Sequence, residues 1–365
     1  MQDSSGAFAN TREPLSFPDD LVVTPEGLVT GPAARDFCVR GTAFALAGGP
    51  LAFTHARIGD ELLAAGDLHR AAAETDMAAA LERLTAPRRD FAGLQLSGPD
   101  ARPRIMGVCN VTPDSFSDGG DHADTGAAIA FGRQLASEGA DIVDVGGEST
   151  RPGAAPVSVD EECARVLPVV EALAADGITV SIDTRKAAVM RAARDAGATI
   201  VNDVSALADD GAIEVVAETG ASVILMHMQG TPETMQAAPA YDDVVADVVR
   251  WLATRVARCV AAGIDPARIA VDPGFGFGKT VDHNAALLRG LAAFHGLGCA
   301  LAVGLSRKSF IGVWTGEADP KARVSGSVAA ALAAVERGAQ IVRVHDVAET
   351  RRAIDVWRKS TGLAA

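Results

Sequence analysis

The sequence predicts an α/β fold, a (β/α)8 TIM barrel with an N-terminal extension, and three observations lead to it. From Ile105 onward, short apolar runs alternate with alanine-rich amphipathic stretches, eight of each. Glycine closes several helical stretches just before the next apolar run, as in Gly139-Ala-Asp141 and Gly338-Ala-Gln340. The apolar runs end in polar side chains, at the barrel face where such folds gather their chemistry.

In order, the predicted strands are 105–111, 142–146, 179–182, 199–201, 222–226, 269–271, 300–304 and 340–344. The helical patterns are 126–138, 159–175, 186–196, 212–218, 244–262, 283–294, 322–337 and 347–360. Residues 1–103 lack this rhythm and divide from a barrel over 104–365. They hold a hairpin across Gly48-Gly-Pro50, an alanine-rich helix over 68–84, and the linker Ser97-Gly-Pro-Asp-Ala-Arg-Pro103. No chemical motif occurs in them, so they read as a cap or packing extension.

A chain of 365 residues with 48% apolar content supports one large core. Its five cysteines form no C-x-x-C pair, so neither a disulfide framework nor a structural zinc site is expected. The polar start Gln2-Asp-Ser-Ser5 and the interruption of the apolar stretch 37–53 by Arg40 and Gly48-Gly-Pro50 give the expectation of a cytoplasmic protein, neither exported nor membrane-spanning. A net charge of −14 argues against nucleic acid or an anionic membrane as partner. An anionic substrate would depend on local cations such as Arg151, Lys308, Arg343 and His345.

The strand ends supply the candidate chemistry. Asp183, Asn202 and Asp272 suit a heterocycle with several N–H donors beside a carbonyl, or each caps the following helix. Arg343 and His345 alternate on one strand, so they form either an anion clamp or a charge pair with Asp346 or a neighbouring carboxylate. Asp272-Pro-Gly-Phe-Gly-Phe-Gly-Lys-Thr280 is not a nucleotide P-loop, because Pro273 stands where the first glycine belongs. Its Phe275 and Phe277 either pack in the core or stack on a flat ligand. His227, between Met226 and Met228, reads as a packed or hydrogen-bonded residue.

Taken together, these segments resemble the dihydropteroate synthase family across residues 105–360. The resemblance rests on Asn110-Val-Thr-Pro-Asp-Ser-Phe-Ser-Asp-Gly119, Gly147-Glu-Ser-Thr-Arg-Pro-Gly153, Ile182-Asp183, Asn202-Asp-Val204, Met226-His-Met228, the Asp272 segment, Ser306-Arg-Lys-Ser309 and Arg343-Val-His345. It implies condensation of 6-hydroxymethyl-7,8-dihydropterin pyrophosphate with 4-aminobenzoate, giving 7,8-dihydropteroate and pyrophosphate. It further implies pterin recognition by Asp183, Asn202, Asp272 and Lys308, with Val204, Met226, Phe277 and Gly304 lining the pocket. Asn110 falls on the Mg2+ ligand, and Arg343 and His345 on the pyrophosphate pair; Asn110, Lys308, Arg343 and His345 are the catalytic set. Phe116, Thr150, Arg151 and Pro152 lie on the loops that complete the aminobenzoate site. A homodimer is the family's assembly. A pterin-dependent methyltransferase and a silent pterin-binding paralogue are the alternatives, and the methyltransferase leaves the first two loop motifs unexplained.

Overall fold

A computed structural model of the chain describes residues 22–74, 77–98, 101–111, 121–149, 156–231 and 234–363. Strands β1 (Val23–Thr30), β2 (Phe44–Ala45), β3 (Leu51–Ile58) and β4 (Glu61–Ala64) form a small sheet in which β3 pairs antiparallel with the other three. Helices α1 (Gly31–Val39), α2 (Ala65–Glu74) and α3 (Met77–Thr85) accompany it. A hairpin and one helix are therefore too simple a description of this region. Pro25 and Gly27 hide β1 in the sequence, yet both are tolerated on an edge strand. The predicted 68–84 helix corresponds to α2 and α3, and residues 75–76 between them lie outside the described residues.

The barrel strands are β5 (Arg104–Asn110), β6 (Ile142–Gly146), β7 (Val180–Asp183), β8 (Ile200–Asp203), β9 (Ser222–Met226), β10 (Ile269–Asp272), β11 (Ala300–Gly304) and β12 (Ile341–Val344). They run in chain order around a closed parallel barrel, β12 pairing with β5. Around it lie α4 (Asp121–Ser137), α5 (Val159–Ala175), α6 (Ala187–Asp195), α7 (Ala212–Thr219), α8 (Val244–Ala261), α9 (Val281–Arg289), α10 (Ser309–Thr315), α11 (Val324–Val335) and α12 (Val347–Ser360). The predicted 283–294 helix ends at Gly290 and continues as a 3-10 segment, Leu291–Leu297. Helix α10 is unanticipated because Phe310, Ile311, Val313 and Trp314 are poor helix formers; Phe310 and Ile311 are buried against the barrel, while Val313 and Trp314 are exposed. Among the described residues no helix is long and apolar enough to cross a membrane.

The stretch just before β5 closes the barrel floor. Phe91 and Leu96 are buried in one cluster with Met106, Ile142, Ile200, Ile224, Ala270, Ala302 and Ile341, the lower inward layer of the strands. Arg88 ties this stretch to the barrel, donating to the carbonyls of Cys299 at 2.9 Å and His295 at 2.8 Å. Gly338 makes room for the joint: its φ is +95°, and a Cβ there would lie 2.6 Å from His295 Nε2. At the same end, Asp141 accepts from Arg102, Arg104, Arg351 and the Ile105 amide.

Phe91→Ala is expected to cost about 3–5 kcal/mol in urea unfolding, with the denaturant slope unchanged, because it opens a cavity under a layer drawn from seven of the eight strands. A loss below about 1 kcal/mol would show that the floor is not a packed layer.

Candidate active site

Parallel register sets the site out before any side chain is considered. Asn110, Gly146, Asp183 and Asn202 are successive cross-strand partners on β5 to β8. Positions in one such row share a face, here the inward one, at the C-terminal rim. Asp144 lies two residues nearer the floor on β6, and Asp272 ends β10 opposite Met226.

Arg343 reaches in from β12 and joins two of these carboxylates. Its Nε donates to Asp144 Oδ2 and its Nη2 to Asp183 Oδ2, both at 2.6 Å. Asn202 Nδ2 donates to the same Asp144 oxygen at 3.0 Å. An ionised carboxylate only accepts, so the amide nitrogen must face Asp144 and the amide oxygen is left for a ligand. Burial pushes the Asp183 carboxyl up to about 7; Arg343 opposes this and Asp144 adds to it. Burial also works against the Arg343 charge, but Asp144 and Asp183 outweigh it and hold the guanidinium above its ordinary value.

On the opposite side Asp272 accepts from the Gly274 amide at 2.7 Å, and burial raises its pKa more than Lys308 lowers it. Gly274 has φ +72°, and a Cβ there would sit 1.9 Å from the His227 carbonyl, so only glycine permits this strand exit. Lys308 donates to the Phe275 carbonyl and lies 4.5 Å above the Phe277 ring. Burial pushes its ammonium down to about 8. Gly304 faces this gap, with Asp272 Oδ2 4.0 Å from where its Cβ would be. Val204 and Met226 are buried beside the acceptors.

Several ambiguities of the sequence resolve here. Phe275 is fully buried against Phe310, whereas Phe277 is half-buried under the lysine, so one phenylalanine serves the core and the other the rim. Arg343 pairs with neighbouring carboxylates, Asp144 and Asp183, and not with Asp346, which is taken by Arg307. Asp272 caps a turn, while Asp183 and Asn202 face inward. His345 Nδ1 lies 3.1 Å from Ser306 Oγ, which also accepts from the His345 amide. His227 is packed edge-on against Trp251 and hydrogen-bonded to Lys279, and burial with that lysine's charge pushes its pKa down to about 3. Phe116, Thr150, Arg151 and Pro152 lie outside the described residues.

Two residues of the site escaped the reading of the sequence as binding groups. Asp144 interrupts the apolar run Ile142-Val-Asp-Val-Gly146, and a charge in the middle of a buried strand was the available signal. Lys279, judged only as a failed P-loop lysine, is buried and binds the Phe277 carbonyl at 2.9 Å, steadying the loop that carries that ring.

Among the described residues no three His, Cys, Asp or Glu side chains gather around a metal position. Asn110 is half-buried, its side chain makes no hydrogen bond among the described residues, and Gly146 leaves space beside its Oδ1, 3.6 Å from where a Cβ would stand. One neutral oxygen at an open rim fits a divalent ion that takes its remaining ligands from water and phosphate.

A closed parallel barrel whose rim combines buried hydrogen-bond acceptors with an arginine and a lysine defines a small-molecule enzyme, and the chain belongs to the pterin binding enzyme family, matched over residues 106–345. Within that family it is similar to the dihydropteroate synthase of Neisseria meningitidis serogroup C, 54% identical over 260 residues, covering 70% of this chain and 92% of the relative. The Escherichia coli K12 dihydropteroate synthase is 52% identical over 257 residues, covering 70% and 91%. Among solved structures, Xanthomonas albilineans dihydropteroate synthase with 4-aminobenzoic acid is 52% identical at a TM-score of 0.70, covering 76% of this chain and 99% of that one. The same enzyme in complex with 7,8-dihydropteroate gives 49% and 0.68, covering 76% and 100%.

Because the folded pKa of Asp183 lies above the ordinary value, folding takes up a proton between 3.8 and about 7. The stability this group contributes is therefore greatest below that window and lost as pH rises through it. Asp183→Asn cannot ionise, so its melting temperature relative to wild type is expected to be higher at about pH 8 than at about pH 5. A difference that stays constant would mean that Arg343 neutralises the carboxylate completely.

Proposed function

We propose that this rim condenses 6-hydroxymethyl-7,8-dihydropterin pyrophosphate with 4-aminobenzoate, releasing pyrophosphate and forming 7,8-dihydropteroate. The chain is a transferase of the dihydropteroate synthase kind, and the relatives bound to 4-aminobenzoic acid and to 7,8-dihydropteroate support the two substrate halves. The observation that carries the reading is the convergence of Asp183, Asn202 and Asp272 with Arg343 and Lys308 on one rim.

Asp183 and the free amide oxygen of Asn202 accept from the N–H edge of the pterin, while Lys308 stands beside Asp272 as a donor. Val204, Met226, Phe277 and Gly304 border the ring. A neutral arylamine is a weak nucleophile, so the site gains most by favouring departure of the diphosphate. As the C–O bond lengthens, Arg343 and His345 take up the growing anionic charge. Asp183 and Asp272 meanwhile stabilise positive charge spread into the electron-rich ring. No general base is assigned, because the amine attacks in its neutral form and the acidic arylammonium formed then loses its proton to solvent. Asn110 would hold Mg2+, which when bound supplies further neutralisation of the diphosphate. By the family resemblance Phe116, Thr150, Arg151 and Pro152, which lie outside the described residues, would complete the aminobenzoate side and exclude water, which would otherwise capture the cation as an alcohol. The reading includes a cytoplasmic homodimer, as the family resemblance implies.

Radiolabelled 4-aminobenzoate is expected to enter dihydropteroate in step with pyrophosphate release. Arg343→Ala should lose about 10²–10³-fold in turnover with an unchanged circular dichroism spectrum. Pterin pyrophosphate binding without labelled product would replace this reading with that of a silent binding protein.

A further inference from the structure

We propose that Asp144 is a positioning residue that links the two halves of the site, aiming Asn202 at the heterocycle and Arg343 at the diphosphate through one carboxylate oxygen. The inference rests on the pterin reading of the site. Asp144 is wholly buried in the middle of β6, where an unsatisfied carboxylate is costly. Its Oδ2 nevertheless takes both Asn202 Nδ2 and Arg343 Nε, while Oδ1 has no partner among the described residues. A carboxylate kept for packing alone would be satisfied at both oxygens; this one is committed to two groups that face the ligand.

The rest of Arg343 shows what that tether does. Its Nη2 rests on Asp183 Oδ2 at 2.6 Å, and its Nη1 has no protein partner among the described residues. A heterocycle that presents N–H donors to Asp183 competes with Arg343 for that carboxylate. When it succeeds, Nη2 is released while Nε stays on Asp144. The guanidinium then turns about its tethered edge and offers the Nη1–Nη2 fork to an anion. Binding of the ring thus readies the diphosphate clamp, and by linkage each ligand tightens the other by the same factor.

The test is calorimetric titration of pyrophosphate with Mg2+, with and without saturating 6-hydroxymethylpterin, on wild type, Asp144→Asn and Asp183→Asn. In wild type the pterin is expected to tighten pyrophosphate about tenfold. Simple removal of negative charge would tighten pyrophosphate in both variants; the tether predicts opposite signs. Asp183→Asn frees Nη2 and should tighten pyrophosphate in the absence of pterin. Asp144→Asn lets the guanidinium drift, and should weaken pyrophosphate about fivefold and abolish its dependence on pterin. Equal or tighter pyrophosphate binding in Asp144→Asn, or undiminished coupling there, overturns the proposal. If Asp144→Asn does not fold, Asp183→Asn decides, and no gain in pterin-free pyrophosphate affinity overturns it. A wild type that binds neither ligand sinks the pterin reading itself, whereas one that binds both independently overturns this inference alone.

Discussion

The last strand of the barrel must pair with the first. That single parallel contact, β12 on β5, sets Arg343 beside Met106 and two strands from Asp144, a residue 199 positions earlier. Nothing local in the chain would bring them together. Closure also fixes which residues point inward, since a slip of one position would turn every rim side chain toward the helices. The acceptor row from Asn110 to Asn202 is a product of the same register, extended across four strands. Chemistry here is a consequence of strand alignment before it is one of side-chain identity.

That alignment crowds charges into a poorly solvated mouth. Asp183 and Lys308 are driven toward neutrality from opposite sides, to about 7 and about 8, and for both burial is the leading cause. Asp144, Asp183 and Asp272 meet Arg343 and Lys308 at the rim, with the ammonium of Lys279 buried near Asp272. N–H donors on a ring complement the carboxylates, and an anion complements the guanidinium. Charge groups that weaken the fold alone and are relieved by ligand are what a binding site on a rigid barrel is expected to show.

Much of the barrel was legible because its strands are buried on both faces and its helices end in glycine. Helices 159–175 and 347–360 are found with those limits. The extension was harder. Pro25 and Gly27 disguise an edge strand, and the floor residues Phe91 and Leu96 look like part of a linker until the barrel above them exists. At the site, strand-end polarity pointed to Asp183, Asn202, Asp272, Lys308 and Arg343, which the structure brings to one rim. Asp144 was visible as a polar strand end but without a role, because that role depends on an arginine at the other end of the chain. The division of work between Phe275 and Phe277 depends on burial, which glycine-rich spacing does not encode.

Arg88 grips the barrel in an unusual manner for a buried cation. Its donors go to the main-chain oxygens of Arg83, Ala86, His295 and Cys299 and, among the described residues, to no carboxylate. Backbone oxygens are the same whatever side chain a residue carries. The barrel's contribution to this joint can therefore drift in sequence without loosening it, while the arginine cannot be exchanged even for lysine, whose point-like ammonium cannot span four separated acceptors. Tolerance to mutation is thus distributed unequally across the seam: permissive on the enzyme side, and concentrated into one position on the appended side.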